Sequence, residues 1–366
     1  MKKFIVFLTA LTLTFAGTML SASTVVCEDK NAAGTIKIMA IGDSITDGYG
    51  VAGSYRKYLY NELTQKGYNI DMVGSKGSDM KVEFTDTETG ESFLYDDDNT
   101  GYSGYTIKEY SGRNGILETL KSTNCLETCN PDIVILQIGT NNIIDNYDMD
   151  KTIDDLKELL DYIFDSLPDT SALFVTTIPD VDPNRQEVYS WFSNYRHSAD
   201  WQTNYSDEEA EENILKTLHV YNANLNAEVL KKKNKSIISN YDFSNGINID
   251  FNNDDSDEGL KLYTADVASV ITDVKSQLMD GVHPNNKGYK LMGEYWAEQI
   301  DNYLSSKTDV KKTYDTADLG ELQKYILGAS SSMGSNEFLE KYDINKDNIV
   351  DIFDLVRLRK ELVKVS

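Results

Sequence analysis

Ile133-Val134-Ile135-Leu136 are apolar at four consecutive positions. A strand with one wet face alternates apolar and polar residues; a strand without alternation needs cover on both faces. The run is also rich in β-branched residues, as such a strand favours. A chain built around this strand must therefore supply a layer on each side of a sheet. The flanking sequence does so. Further strands are expected at 36–41, 69–75 and 172–179, and a fifth at 236–244, "SIISNYDFS". Between them lie a helix at 55–66, closed by Gly67, and an amphipathic helix carrying Ile153, Leu156, Leu159, Leu160, Ile163 and Phe164. Two more helices follow at about 209–233 and 289–304. Strands alternating with helices imply right-handed crossovers and an α/β fold with a parallel sheet, whose sites form at the carboxyl ends of the strands.

Charge narrows the partners. The 366 residues carry 60 acidic against 35 basic side chains, a net charge of −25. Nucleic acid and anionic membrane surfaces would be repelled, whereas a neutral polymer would not. Lys2 and Lys3 precede an apolar stretch from Phe4 to about Leu20, and Ser21-Ala22-Ser23 follow. This pattern reads as a signal peptide over 1–26 and an exported, extracellular protein. Val26 before Cys27 argues against a lipoprotein anchor, which wants a small residue there. No other stretch is long and apolar enough to span a bilayer. Cys125 and Cys129, four apart, are expected to form either a local disulfide or two idle thiols.

The strand at 36–41 ends in "GDSITDG", which places Ser44 at its carboxyl end. Serine and aspartate are ordinary turn and cap residues, so the rest of the chain decides the reading. As a nucleophile, serine needs a base, usually imidazole, and the base needs a partner that fixes its tautomer. The developing oxyanion needs donors. "DGVHP" supplies Asp280 and His283 just before the last helix, "GYSGYTI" supplies Gly101 and Gly104, and "GTNN" supplies Asn141 at the end of the central strand, with Asn142 as a rival donor. Taken alone, Gly104 is a turn glycine and Asn141 a residue tolerant of left-handed backbone. His197 and His219 have no comparable company. Trp191, Tyr195 and Trp201 lie in an insertion at 182–210, where they either stack on sugar rings or pack the loop; a second, acidic insertion covers 79–99.

"GDSIT", "GYSG", "GTNN" and "DGVHP", in this order across 35–305, resemble the four blocks of the SGNH, or GDSL-type, hydrolases. Their compact form is most similar to the carbohydrate esterase family 3 acetylxylan esterases. The usual "GDSL" is "GDSI" here. The resemblance implies a flavodoxin-like three-layer α/β/α sandwich. It implies Ser44 as nucleophile, His283 as general base and Asp280 as its orienting carboxylate. The oxyanion hole would be the Ser44 backbone N–H, Gly104 and Asn141. The substrate would be an acetylated plant polysaccharide, with no cofactor in catalysis. Other acyl targets (acetylated pectin, feruloyl or lipid esters) are the alternatives within enzymes. A catalytically inactive carbohydrate-binding subunit is the alternative outside them. A metal phosphoesterase is disfavoured, because carboxylates and histidines do not cluster as ligands.

The segment 306–366 reads as a separate all-α module. In "DINKDNIVDIFD", oxygen-bearing side chains occupy positions 1, 3, 5, 9 and 12 of an EF-hand-like loop, namely Asp343, Asn345, Asp347, Asp351 and Asp354. Ile349 at position 7 would offer its carbonyl, and Asn348 replaces the usual glycine at position 6. Aspartate at position 12, followed by one helix, resembles a dockerin half. Residues 314–328 align with 350–363 at an offset of 36, but Lys307 and Lys311 then fall at positions 1 and 5, so the first loop is expected to have lost calcium. The resemblance implies one structural Ca2+, a cohesin partner on a scaffold protein and a cellulosome-bound enzyme.

Overall fold

The computed structural model describes residues 34–78, 80–86, 89–233, 261–308, 316–327, 338, 341–342, 344 and 350–364. They divide into two compact units, with the division after Ala297. The expected signal segment and the strand expected at 236–244 lie outside the described residues.

The first unit is a parallel sheet. Its strands are β1 (Ile36–Gly42), β2 (Ile70–Val73), a two-residue β5 (Thr100–Gly101) on β1, β6 (Ile133–Gln137), β7 (Ala172–Thr176) and β8 (Lys261–Ala265). The order β2-β1-β6-β7-β8 is entirely parallel and is the flavodoxin-like order. Every residue of β6 is buried, as its unbroken apolar run requires. On one face Met39, Ile41, Val134, Leu136, Leu173 and Val175 pack under the helices Ile116–Thr123, Met149–Ser166 and Asp207–Lys233. On the other, Phe174 stacks on Tyr263 and meets Trp296 edge-on, under the helix that starts at Asn286. Gly293 of that helix seats against Tyr55, Tyr58 and Leu59 of the segment containing helix Arg56–Gln65, where a Cβ would collide. Sheet and helices thus form three layers.

The acidic insertion at 79–99 contains an antiparallel hairpin, β3 (Lys81–Thr85) with β4 (Ser92–Asp96). Its Phe84 and Phe93 pair with each other and turn to Tyr58, and the Lys57 ammonium lies 3.8 Å above the Phe84 ring. Cys125 and Cys129 begin and end one short helix as free thiols. Among the described residues no helix is long and apolar enough to cross a membrane.

In the second unit, helices Thr316–Ile326 and Ile352–Lys364 share a small core. Leu322, Phe338, Tyr342, Val350, Leu355 and Leu358 are buried there, with Leu319, Tyr325, Ile326 and Ile344 against them. Asp343, Asn345, Asp347, Ile349 and Lys311 lie outside the described residues. Asp354 is fully buried. Its carboxylate accepts from the N–H of Ile344 at 2.8 Å and of Asp351 at 2.9 Å, which ties both residues to the start of the helix.

Candidate active site

β1 must stop abruptly to present Ser44. Gly42 has no room for a Cβ, which would sit 2.2 Å from the Gln137 carbonyl. Asp43 then accepts the Ile45 N–H through its side chain at 3.0 Å and caps the short helix Ser44–Asp47, which Gly48 ends in left-handed backbone. The result is a buried serine at the carboxyl edge of the sheet.

His283 reaches that serine from the loop before the helix at Asn286. Its Nε2 lies 2.8 Å from Ser44 Oγ, and its Nδ1 lies 2.7 Å from Asp280 Oδ2. The D-x-x-H spacing allows one carboxylate to do two tasks. Asp280 Oδ1 accepts the backbone N–H of Val282 and of His283, while Oδ2 takes the ring. Gly281 between them has φ +96°, and a Cβ there would strike the Asp182 carbonyl. Burial raises the Asp280 pKa, but the hydrogen bonds from the His283 ring and backbone outweigh it and hold the carboxyl below its ordinary value. Asp280 is therefore an acceptor only, Nδ1 carries the proton, and Nε2 is free to take the serine proton.

The remaining donors stand on neighbouring strand ends. Gly104 has φ +83°, the left-handed backbone that favours glycine. Asp47 accepts from the N–H and hydroxyl of Ser103 and pairs with Lys76, which tethers the Gly104 loop to the nucleophile turn. Asn141 donates through Nδ2 to the Tyr105 carbonyl at 2.8 Å, and Arg113 Nη1 approaches its Oδ1 at 3.4 Å. A guanidinium only donates and a carbonyl only accepts, so the amide orientation is fixed, and one Nδ2 hydrogen remains for the site. Asn142 faces elsewhere: its Oδ1 accepts the buried Ile107 N–H at 3.1 Å.

Two residues here were not singled out in the sequence. Arg113 binds Asp145 in a two-pronged pair at 2.6 and 2.8 Å and also donates to the Gly104 carbonyl at 3.1 Å. One side chain thus holds both Gly104 and Asn141. Tyr49 lies against His283 with the rings tilted at 38° and their centroids 4.5 Å apart. Of the aromatics in the second insertion, Trp191 meets His283 edge-on at 6.0 Å. Tyr195 is buried, with its hydroxyl on the Ile143 carbonyl, and serves packing. Trp201 stacks on His197, and His219 pairs with Asp180 at the surface.

Asp43 is fully buried, and that burial pushes its carboxyl up from 3.8 to about 6, although Ile45 and Thr140 offset part of the rise. A carboxyl with a raised folded-state pKa favours its neutral form in the fold. Its contribution therefore falls as pH rises from about 4 to about 6 and stays lost above that. Asp43→Asn, which keeps the cap acceptor, is expected to raise stability by about 3 kcal/mol at pH 8 and by little at pH 4. Denaturant melts at both pH values check this; an equal gain at both would contradict it.

A buried serine, an imidazole on its hydroxyl and a carboxylate on that imidazole stand together at the carboxyl edge of a parallel sheet, the arrangement that serine hydrolases use. Residues 38–296 match the family model described as GDSL-like Lipase/Acylhydrolase, and the chain belongs to that family. The "Multidomain esterase" of Ruminococcus flavefaciens is 35% identical over 339 residues, 91% of this chain and 36% of that protein. The chain therefore spans about a third of the length of that curated relative. Among solved structures, a carbohydrate esterase family 3 protein from Talaromyces cellulolyticus is 19% identical, with a TM-score of 0.47 over 74% of this chain and 99% of that one. A catalytic mutant of an acetylxylan esterase from Geobacillus stearothermophilus is 14% identical, with a TM-score of 0.41 over 72% and 94%.

Proposed function

We propose that this esterase removes acetyl groups from plant cell-wall polysaccharide, as an exported enzyme attached to a cellulosome through its C-terminal unit. The observation that carries the chemistry is the 2.8 Å contact between His283 Nε2 and Ser44 Oγ, with Asp280 on Nδ1. Ser44 Oγ attacks the ester carbonyl as its proton passes to His283 Nε2. The carbonyl oxygen becomes an oxyanion, met by the N–H groups of Ser44 and Gly104 and by Asn141 Nδ2. On collapse, the His283 proton goes to the alkoxy oxygen and the alcohol leaves. Water, deprotonated by His283, then releases the acid and restores Ser44. The choice of acetylated polysaccharide rests on the four sequence blocks and on a strongly acidic chain that a neutral polymer does not repel. Acetate release from acetylated xylan, compared with acetylated pectin, feruloyl esters and lipid esters, tests it. A preference for either of the last two would replace this reading.

For the C-terminal unit we propose one structural calcium, held by Asp343, Asn345, Asp347, the Ile349 carbonyl, Asp351 and Asp354, and docking to a cohesin. The donors are hard oxygens, as Ca2+ requires. The buried Asp354 carboxylate, which accepts the Ile344 N–H, supports the reading. A core this small often needs a metal. Calorimetric titration of the whole chain is expected to show about one tight calcium, absent after Asp343→Ala with Asp347→Ala, with esterase activity unchanged by chelator. Two ions would show that the first loop, despite Lys307 and Lys311, still binds. No binding would remove the dockerin reading.

A further inference from the structure

The proton on His283 Nε2 passes to the departing alkoxy oxygen, so the alcohol half of the ester lies on the His283 side. The acyl oxygen lies on the side of Gly104 and Asn141. Two solvent-facing aromatic side chains flank His283, which is itself buried. Tyr49 is 49% exposed with its ring 4.5 Å from the imidazole, and Trp191 is 38% exposed with its ring 6.0 Å away and nearly perpendicular.

Both are anchored to the loop that carries the acid and base. Tyr49 lies between Gly48 and Gly50, both at positive φ, and its N–H bonds the Ser44 carbonyl at 3.0 Å. Gly50 sits directly against Met279, where a Cβ would collide. On the other flank, the Asp182 N–H bonds the Gly281 carbonyl at 2.7 Å, and Arg185 donates to the Met279 carbonyl at 2.9 Å. Buried Arg196 then gathers the insertion. It donates to the Pro183 carbonyl and to Asn184 Oδ1, and its guanidinium lies 3.4 Å from the Tyr189 ring centroid. The Trp191 N–H closes on the Val188 carbonyl at 2.8 Å.

We infer that Tyr49 and Trp191 form an alcohol-side subsite that takes the apolar face of a pyranose ring, a reading that rests on the esterase function above. The openness of the platform selects the ligand class. A long aliphatic alcohol gains most from an enclosed apolar slot. A sugar ring has an apolar C–H face to lay on an aromatic ring, while its hydroxyls stay in water, and half-exposed aromatics serve both needs. The subsite touches the leaving alcohol and so acts chiefly on KM.

The test is steady-state kinetics on three acetate esters: an acetylated methyl β-xylopyranoside, cyclohexyl acetate and ethyl acetate. Wild type is expected to favour the xyloside over both others. Trp191→Ala is expected to lower the ratio of kcat/KM for the xyloside to that for ethyl acetate about tenfold, mainly through KM. Tyr49→Ala should do likewise, and Trp191→Phe should restore most of the ratio. An unchanged ratio in both alanine variants overturns the subsite, because the aromatics would then only support His283. A wild type that favours cyclohexyl acetate over the xyloside also overturns it, in favour of an apolar alcohol. A wild type active on none of the three esters overturns the acetylesterase reading and the subsite with it, a result distinct from the other two.

Discussion

Ser44→Ala and His283→Ala are each expected to lower kcat by about 10⁴- to 10⁶-fold, with the fold intact. Nucleophile and base act as one unit, so the double variant should be little worse than either single one. Folding is not at risk from either change. Ser44 sits at the end of a strand whose packing comes from Met39 and Ile41, and the loop at 280–283 is closed by backbone bonds to the Asp280 carboxylate. Purified-protein kinetics with a chromogenic acetate, alongside circular dichroism, checks both points. Residual Ser44→Ala activity above a few per cent would show that the nucleophile lies elsewhere.

The second large effect concerns the oxyanion. Asn141→Ala removes a donor that matters only once charge develops, so kcat should fall about 10²- to 10³-fold with KM little changed. Arg113 acts at one remove. Losing its grip on the Gly104 carbonyl and the Asn141 amide should misplace both donors, and Arg113→Ala is expected to lower kcat by about 10- to 100-fold. Arg113→Lys should not restore it, because an ammonium cannot hold Asp145 with two prongs and still reach Gly104. A change mainly in KM for Asn141→Ala would make that residue a substrate contact instead.

The parts of this design visible in the sequence share a cause. β6 and β7 are buried along their whole length and β1 from Ile38 on, and burial on both faces writes a continuous apolar run. Ser44 and Asn141 were visible because each follows such a strand within a few residues, where sites of parallel sheets form, and His283 because its D-x-x-H spacing falls just before the helix at Asn286. β8 was not visible. It is a short strand, "KLYTA", at the edge of the sheet among the described residues, and its apolar residues are too few and too broken by Lys261 and Thr264 to stand out. The β3–β4 hairpin shows only two apolar residues per strand on its inner face, Val82 and Phe84 opposite Tyr95 and Phe93, inside an acidic stretch that reads as loop. Arg113 lies in "SGRNG", where an arginine looks like surface; only the folded chain brings it to Gly104, Asn141 and Asp145. Tyr49 escaped notice for the same reason, since its partner His283 is remote in sequence and adjacent only in space.

Labelling with a phosphonate that reacts with activated serines, followed by peptide mapping, tests the central claim most directly. The account predicts one modified peptide, containing Ser44, with activity lost in proportion to label and no reaction in His283→Ala. Full inactivation with Ser44 unmodified, or full labelling of Ser44 with activity retained, would contradict it.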